Sequence, residues 1–139
     1  MSDPFHLQRF VEAQDPVFEE VCAELRSGRK QSHWMWFIFP QIAGLGRSPV
    51  AQHYAISSKS EAEAYLDHPV LGHRLRLCTQ LTIDVQGRSL HQIFGSPDDM
   101  KFCSSMTLFA HATAGNQLFL DAIQKYCSGK FDSLTLQRL

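Results

Sequence analysis

The chain has 139 residues, of which 44% are hydrophobic and 19% charged, and a formal net charge of −1. That size suits one domain able to bury its own core, and the balanced charge provides no basic field for a phosphate backbone, so non-specific nucleic-acid binding is disfavoured. No apolar run approaches the roughly 20 residues that span a bilayer, and Met1-Ser-Asp-Pro-Phe5 lacks the basic-then-apolar layout of a secretory signal, which points to a cytoplasmic protein.

Proline placement sets the helix starts. Five of the six prolines follow Asp, Ser or His at the head of an amphipathic run: Pro4, Pro16, Pro49, Pro69 and Pro97. Proline at the first helical position loses no intrahelical bond, and a preceding Ser or Asp can cap the free amides. Residues 5–14 therefore read as helical. After Asp15-Pro16 the stripe Val17, Phe18, Val21, Cys22 and Leu25 marks a helix that stops at Gly28, with Glu19 and Glu20 near its start and Arg26 near its end. The next segment, Trp34 to Phe39, fits a buried helix or a buried strand equally well by periodicity. Residues 49–56 and 60–67 read as helices, and from Pro69 the recurrence of Leu71, Leu75, Cys78, Thr82 and Val85 predicts a central helix ending near Gly87. A short helix over 89–94 comes next, then one after Ser96-Pro97 carrying Met100, Cys103, Thr107 and Ala110 on one stripe. Asn116 can cap 117–127, and Ser133 a final turn. The sum is an all-α fold of about seven or eight short helices, one domain over residues 1–139, with no hairpin signal for a sheet.

The four cysteines, Cys22, Cys78, Cys103 and Cys127, stand at wide, irregular spacing without a Cys-x-x-Cys pair. In a reducing compartment they are expected to be small buried apolar residues. The histidines show no metal-ligand spacing, no nucleophile elbow is present, and no motif calls for a cofactor.

One stretch exceeds what folding alone requires. Ser32 to Gln41 holds both tryptophans, two phenylalanines and His33, and it runs into a Gly44-Leu-Gly46 turn with Arg47. Rings of Trp34 or Trp36 can stack a planar group, while Arg47 and the amides after Ser48 can hold an anion. His33, Gln41 and Tyr54 flank this candidate site. A second cluster places Asp98, Lys101 and Ser105 at helical spacing, and with His53 it supplies groups for proton transfer: Asp98, Lys101 and His53 as acid–base candidates and Ser105 as a polar contact. The expectation is a cleft between residues 32–54 and 96–106 that takes a nucleotide-like anion. The alternative is a non-enzymatic protein-interaction module that uses the aromatics of 33–39 as a sticky surface.

Residues 3–14, 32–41, 44–49, 68–75 and 94–102 together resemble the bacterial domain-of-unknown-function 1810 family over nearly the whole chain. The resemblance implies a mainly α-helical single domain and no established reaction. Gln52-His53-Tyr54 and the later Asp, Lys and Ser-Met-Thr-Leu helix are faintly similar in order to motifs of the NADAR family, helical proteins linked to NAD and ADP-ribose metabolism that cleave N-glycosidic bonds. Gln52 stands where that family has an acidic residue, and a glutamine cannot serve as a carboxylate base. The similarity therefore implies an ADP-ribose- or NAD-related ligand more than a reaction.

Overall fold

A computed structural model describes residues 2–139; Met1, the first residue of the stretch read for a secretion signal, lies outside the described residues. Among these the chain forms ten helices: α1 (Gln8–Gln14), α2 (Phe18–Arg26), α3 (Met35–Ile38), α4 (Pro49–His53), α5 (Lys59–Asp67), α6 (Leu71–Ile83), α7 (Leu90–Phe94), α8 (Asp98–Ala110), α9 (Gln117–Tyr126) and α10 (Ser133–Leu136). The all-α expectation holds. The count rises above eight partly because the aromatic segment, ambiguous by periodicity, folds as the one-turn helix α3. None of these helices is long and apolar enough to cross a membrane.

Local chemistry explains most starts. Ser48 accepts a hydrogen bond from the Ala51 amide with Pro49 at the first helical position, and Ser58 does the same for Glu61. Ser89 and Gln92 form a reciprocal capping box at α7. Asp3 accepts from the amides of Leu7 and Gln8, so its carboxylate closes the turn before α1. Of the five proline pairs only Ser48-Pro49 meets the expectation: α1 begins at Gln8, α2 at Phe18, α6 at Leu71 and α8 at Asp98, none with a side-chain bond from its cap residue.

The core is a single connected cluster around α8. From Ser104 to Ala110 every residue of α8 is buried, which fits a helix surrounded by partners rather than one lying on the surface. Its Phe102 stacks on Phe94 with ring centroids 5.3 Å apart and meets Phe39 edge-on at 5.1 Å. Its Phe109 packs against Tyr65 and Phe119. The small side chains Ser104, Ser105 and Thr107 permit the close approach of α9 and α10. Ser105 is fully enclosed and its Oγ has no hydrogen-bond partner among the described residues.

Two long-range braces position the segment after α3. The backbone of Gln41 to Ala43 pairs with Ile56 as an isolated parallel bridge: the Ile56 amide donates to the Gln41 carbonyl (2.9 Å) and the Ala43 amide to the Ile56 carbonyl (2.8 Å). Arg9, on α1, donates to the carbonyls of His53 (3.0 Å) and Ala55 (3.0 Å) and pairs with the buried Glu61 carboxylate at 2.9 Å. The end of α4 is thus tied to two other elements.

The cysteine expectation needs correction. Cys22 and Cys78 are buried free thiols, but Cys103 and Cys127 form a disulfide between α8 and the end of α9. They are 24 residues apart, so only the packing of these two helices brings them together, and no local spacing marks the pair.

Candidate functional site

The 41–47 turn faces the N-terminal half of α8 across a cleft of about 510 Å³, closed at its far side by α10. Gln41, Gly44, Arg47, Lys101, Ser104 and Arg138 line it. Three cationic side chains, from the turn, from α8 and from the chain's last residues, therefore border one hollow. The volume falls within the range of small-molecule sites.

Each wall has a local cause. Gly44 has φ +98°, a conformation side chains rarely adopt, and a Cβ there would run into the Arg138 guanidinium. At Gly46 an added Cβ would lie 2.6 Å from the Ala51 Cβ. The turn is further fixed by Gln52, whose Nε2 donates to the Arg47 carbonyl at 2.8 Å. An amide donor suits a carbonyl partner, whereas a carboxylate would repel it. Gln52 therefore serves the turn.

On the other wall, Lys101 Nζ lies 5.4 Å from the centre of the Trp36 ring, a cation–π distance, and 3.7 Å from Asp98 Oδ1. Asp98 is bound more closely by Lys30, at 3.0 Å, and Lys30 in turn lies over Trp34. The carboxylate is shared by two ammonium groups and held outside the cleft lining. Asp132 reaches the cleft, but its Oδ2 accepts from Ser104 Oγ (3.0 Å) and the Thr135 amide (3.2 Å). That acceptor anchors α10 to α8.

A second, narrow crevice runs behind the turn between Trp36, Gln41, Tyr54 and Lys101. Its free space is about 10 Å³, room for one water molecule and no organic ligand.

Several sequence-derived assignments move. Trp34 is 1% exposed and its Nε1–H donates to Glu24 Oε1 at 3.0 Å, so it is a core residue and no stacking wall. The same Glu24 carboxylate accepts from the amides of Gln31 (2.7 Å) and Ser32 (3.0 Å) and from Ser32 Oγ (2.7 Å). Burial pushes this carboxyl up, but the four donors outweigh it and bring its pKa down to about 2. Trp34, Met35, Ile38 and Phe39 are buried while Trp36 and Phe37 stay half-buried, so the 33–39 segment presents two partly exposed rings rather than a continuous aromatic surface. His33 and His53 are exposed and line neither the cleft nor the crevice, so His53 does not join Asp98 and Lys101 as an acid–base set. The Ser48 hydroxyl is committed to capping α4. Tyr54 packs among Phe10, Phe37 and His53 and borders only the crevice. Ser105 lies inside the core.

Gln41, Arg47 and Lys101 do meet, with Trp36 beside them. Arg138 and the whole contribution of α10 were not foreseen from the sequence. The capping signal near Ser133 marked a helix there but carried no hint that it folds back over Gly44.

A compact helical domain with a cationic cleft beside a buried aromatic cluster is the class these features define. The family model described as "Protein of unknown function (DUF1810)" matches residues 4–139, and the chain belongs to that family. It is also similar to the crystal structure of the conserved hypothetical protein Rv1873 from Mycobacterium tuberculosis: 58% identity, a TM-score of 0.97, and coverage of 99% of this chain and 98% of that one. No curated protein matches the chain.

Proposed function

We propose that the chain binds a phosphate-bearing, nucleotide-like small molecule of the ADP-ribose or NAD type in the cleft between the 41–47 turn, α8 and α10. The observation that carries this reading is the convergence of Arg47, Lys101 and Arg138 on one hollow that, among the described residues, a single carboxylate, Asp132, lines. Asp98 is held by Lys30, and Asp132 by the Ser104 and Thr135 donors. Guanidinium forks suit the bidentate oxygens of a phosphate, and Lys101 adds a point charge. Trp36, half-buried, lines the narrow crevice behind the turn, and its ring lies 5.4 Å from Lys101 Nζ, so it helps position that ammonium at the cleft. The groups that remain support recognition rather than acid–base turnover: Asp132, the carboxylate among the lining residues, accepts from hydroxyl and amide donors, and no imidazole lines the hollow among the described residues.

Calorimetric titration of the full chain with ADP-ribose, with inorganic pyrophosphate as a second probe, tests the proposal. Saturable binding that weakens with added salt and falls about tenfold in Arg47→Ala is expected, the loss of one charge-assisted contact. An absence of heat for both probes at millimolar concentration would overturn it.

A further inference from the structure

The Cys103–Cys127 disulfide borders a second cleft, of about 500 Å³, which is lined as well by His91, Asp99, Tyr126 and Lys130. Both half-cystines are only partly buried, whereas the free thiols Cys22 and Cys78 are 5% and 0% exposed. A reagent entering this cleft therefore meets the disulfide and neither free thiol.

Beyond the disulfide the chain is weakly packed. After Cys127 the backbone turns through Ser128 (φ 58°) and Gly129 (φ 68°) and leaves α9. From there to Leu139 only Thr135 is buried, while Phe131, Leu134, Leu136 and Leu139 stay exposed. Apolar burial therefore holds this segment poorly. Its anchors are mainly polar and covalent: the Asp132 amide donates to Thr107 Oγ1 at 2.9 Å, Asp132 Oδ2 accepts from Ser104, and the disulfide pins the residue at the segment's head to α8. Beside these the half-exposed Phe131 ring meets His111, with ring centroids 4.7 Å apart.

We propose that Cys103–Cys127 is a reversible thiol–disulfide exchange site, open to small dithiols through the second cleft, whose reduction loosens residues 128–139 from α8. A dithiol thiolate attacks one sulfur, forming a mixed disulfide and expelling the other cysteine as a thiolate. The reagent's second thiol, as its thiolate, then attacks the reagent's own sulfur in the mixed disulfide, expelling the second cysteine as a thiolate and closing the reagent into a cyclic disulfide; both cysteine thiolates take up protons. Two electrons and two protons pass from the reagent to the protein, and an oxidised dithiol reverses both steps. Reduction leaves the Asp132 network and the Phe131–His111 ring contact as the segment's ties to α8, and Arg138 loses its fixed place over Gly44. The effect on ligand affinity rests on the function proposed above; the loosening of the segment does not.

The test uses the oxidised full-length protein under native conditions, treated with excess dithiothreitol, alkylated and mapped by mass spectrometry, with hydrogen exchange measured in parallel. Alkylation confined to Cys103 and Cys127, with amide exchange across 128–139 accelerated by about tenfold or more and α6 unchanged, is expected. The Cys103→Ser/Cys127→Ser double variant should show the fast exchange without reductant and no response to it. A disulfide that resists the reagent in the folded protein, simultaneous alkylation of Cys22 and Cys78, or reduction without faster exchange in 128–139 would overturn the proposal. A drop in ADP-ribose affinity on reduction is read separately by calorimetry, so failure of the ligand reading leaves the exchange result standing.

Discussion

The Arg138 guanidinium occupies the space that a side chain on Gly44 would need. This contact, between residues far apart in the chain, closes the cleft and sets the position of its third cation. Gly44→Ala should therefore act twice, straining a backbone with φ +98° and displacing Arg138. A stability loss of about 1–2 kcal/mol in urea denaturation is expected, together with weaker ADP-ribose binding; Arg138→Ala should weaken binding with little loss of stability.

The two tryptophans should separate core from cleft. Trp34→Phe keeps an aromatic ring but removes the donor to Glu24, and is expected to cost about 1–2 kcal/mol while leaving ligand affinity unchanged. Trp36→Ala should do the reverse, lowering affinity more than stability. Thermal unfolding and calorimetry on the same two proteins check both outcomes.

Glu24 gives the acid limb of the stability profile. Its folded pKa of about 2 lies below the ordinary carboxylate value, so its contribution is fully present above about pH 4.5 and is lost as pH falls toward 2. Glu24→Gln cannot satisfy the same donors with a charge. A loss of about 2 kcal/mol at neutral pH is expected, with a flatter decline than wild type between pH 4.5 and 2. Urea midpoints measured across that interval supply the comparison.

Arg9 is the brace most exposed to substitution. Removing it leaves the buried Glu61 carboxylate without its cation and two carbonyls near α4 without their donor. Arg9→Ala should cost about 3 kcal/mol, and Arg9→Lys should recover only part of this, because one ammonium cannot reach all the acceptors that the guanidinium fork spans. Denaturant unfolding of the two variants tests the order.

The fold was legible where local chemistry decided it. Ser48-Pro49, Ser58 and Ser89 carry their own cap signals, and the long apolar stripes of α6 and α8 keep helical spacing over several turns. The aromatic segment was not, because a four-residue helix has too little periodicity to distinguish it from strand. At the site, Arg47 and Lys101 could be named because each sits in a recognisable local setting, one at a glycine turn and one on a polar helix face. Trp34 misled for a physical reason: an indole that satisfies a buried carboxylate has the same sequence appearance as one that stacks a ligand, and its partner Glu24 lies on another helix. Arg138 and the Cys103–Cys127 bond depend on tertiary packing that brings distant segments together, which no spacing within the chain encodes.

Amide chemical-shift mapping of the full chain during titration with ADP-ribose examines the cleft directly. Saturable shifts concentrated at residues 44–47, 101–104 and 137–138 are the predicted result. Shifts gathered instead around the Cys103–Cys127 cleft and its Lys130 rim, or none at millimolar ligand, would contradict it.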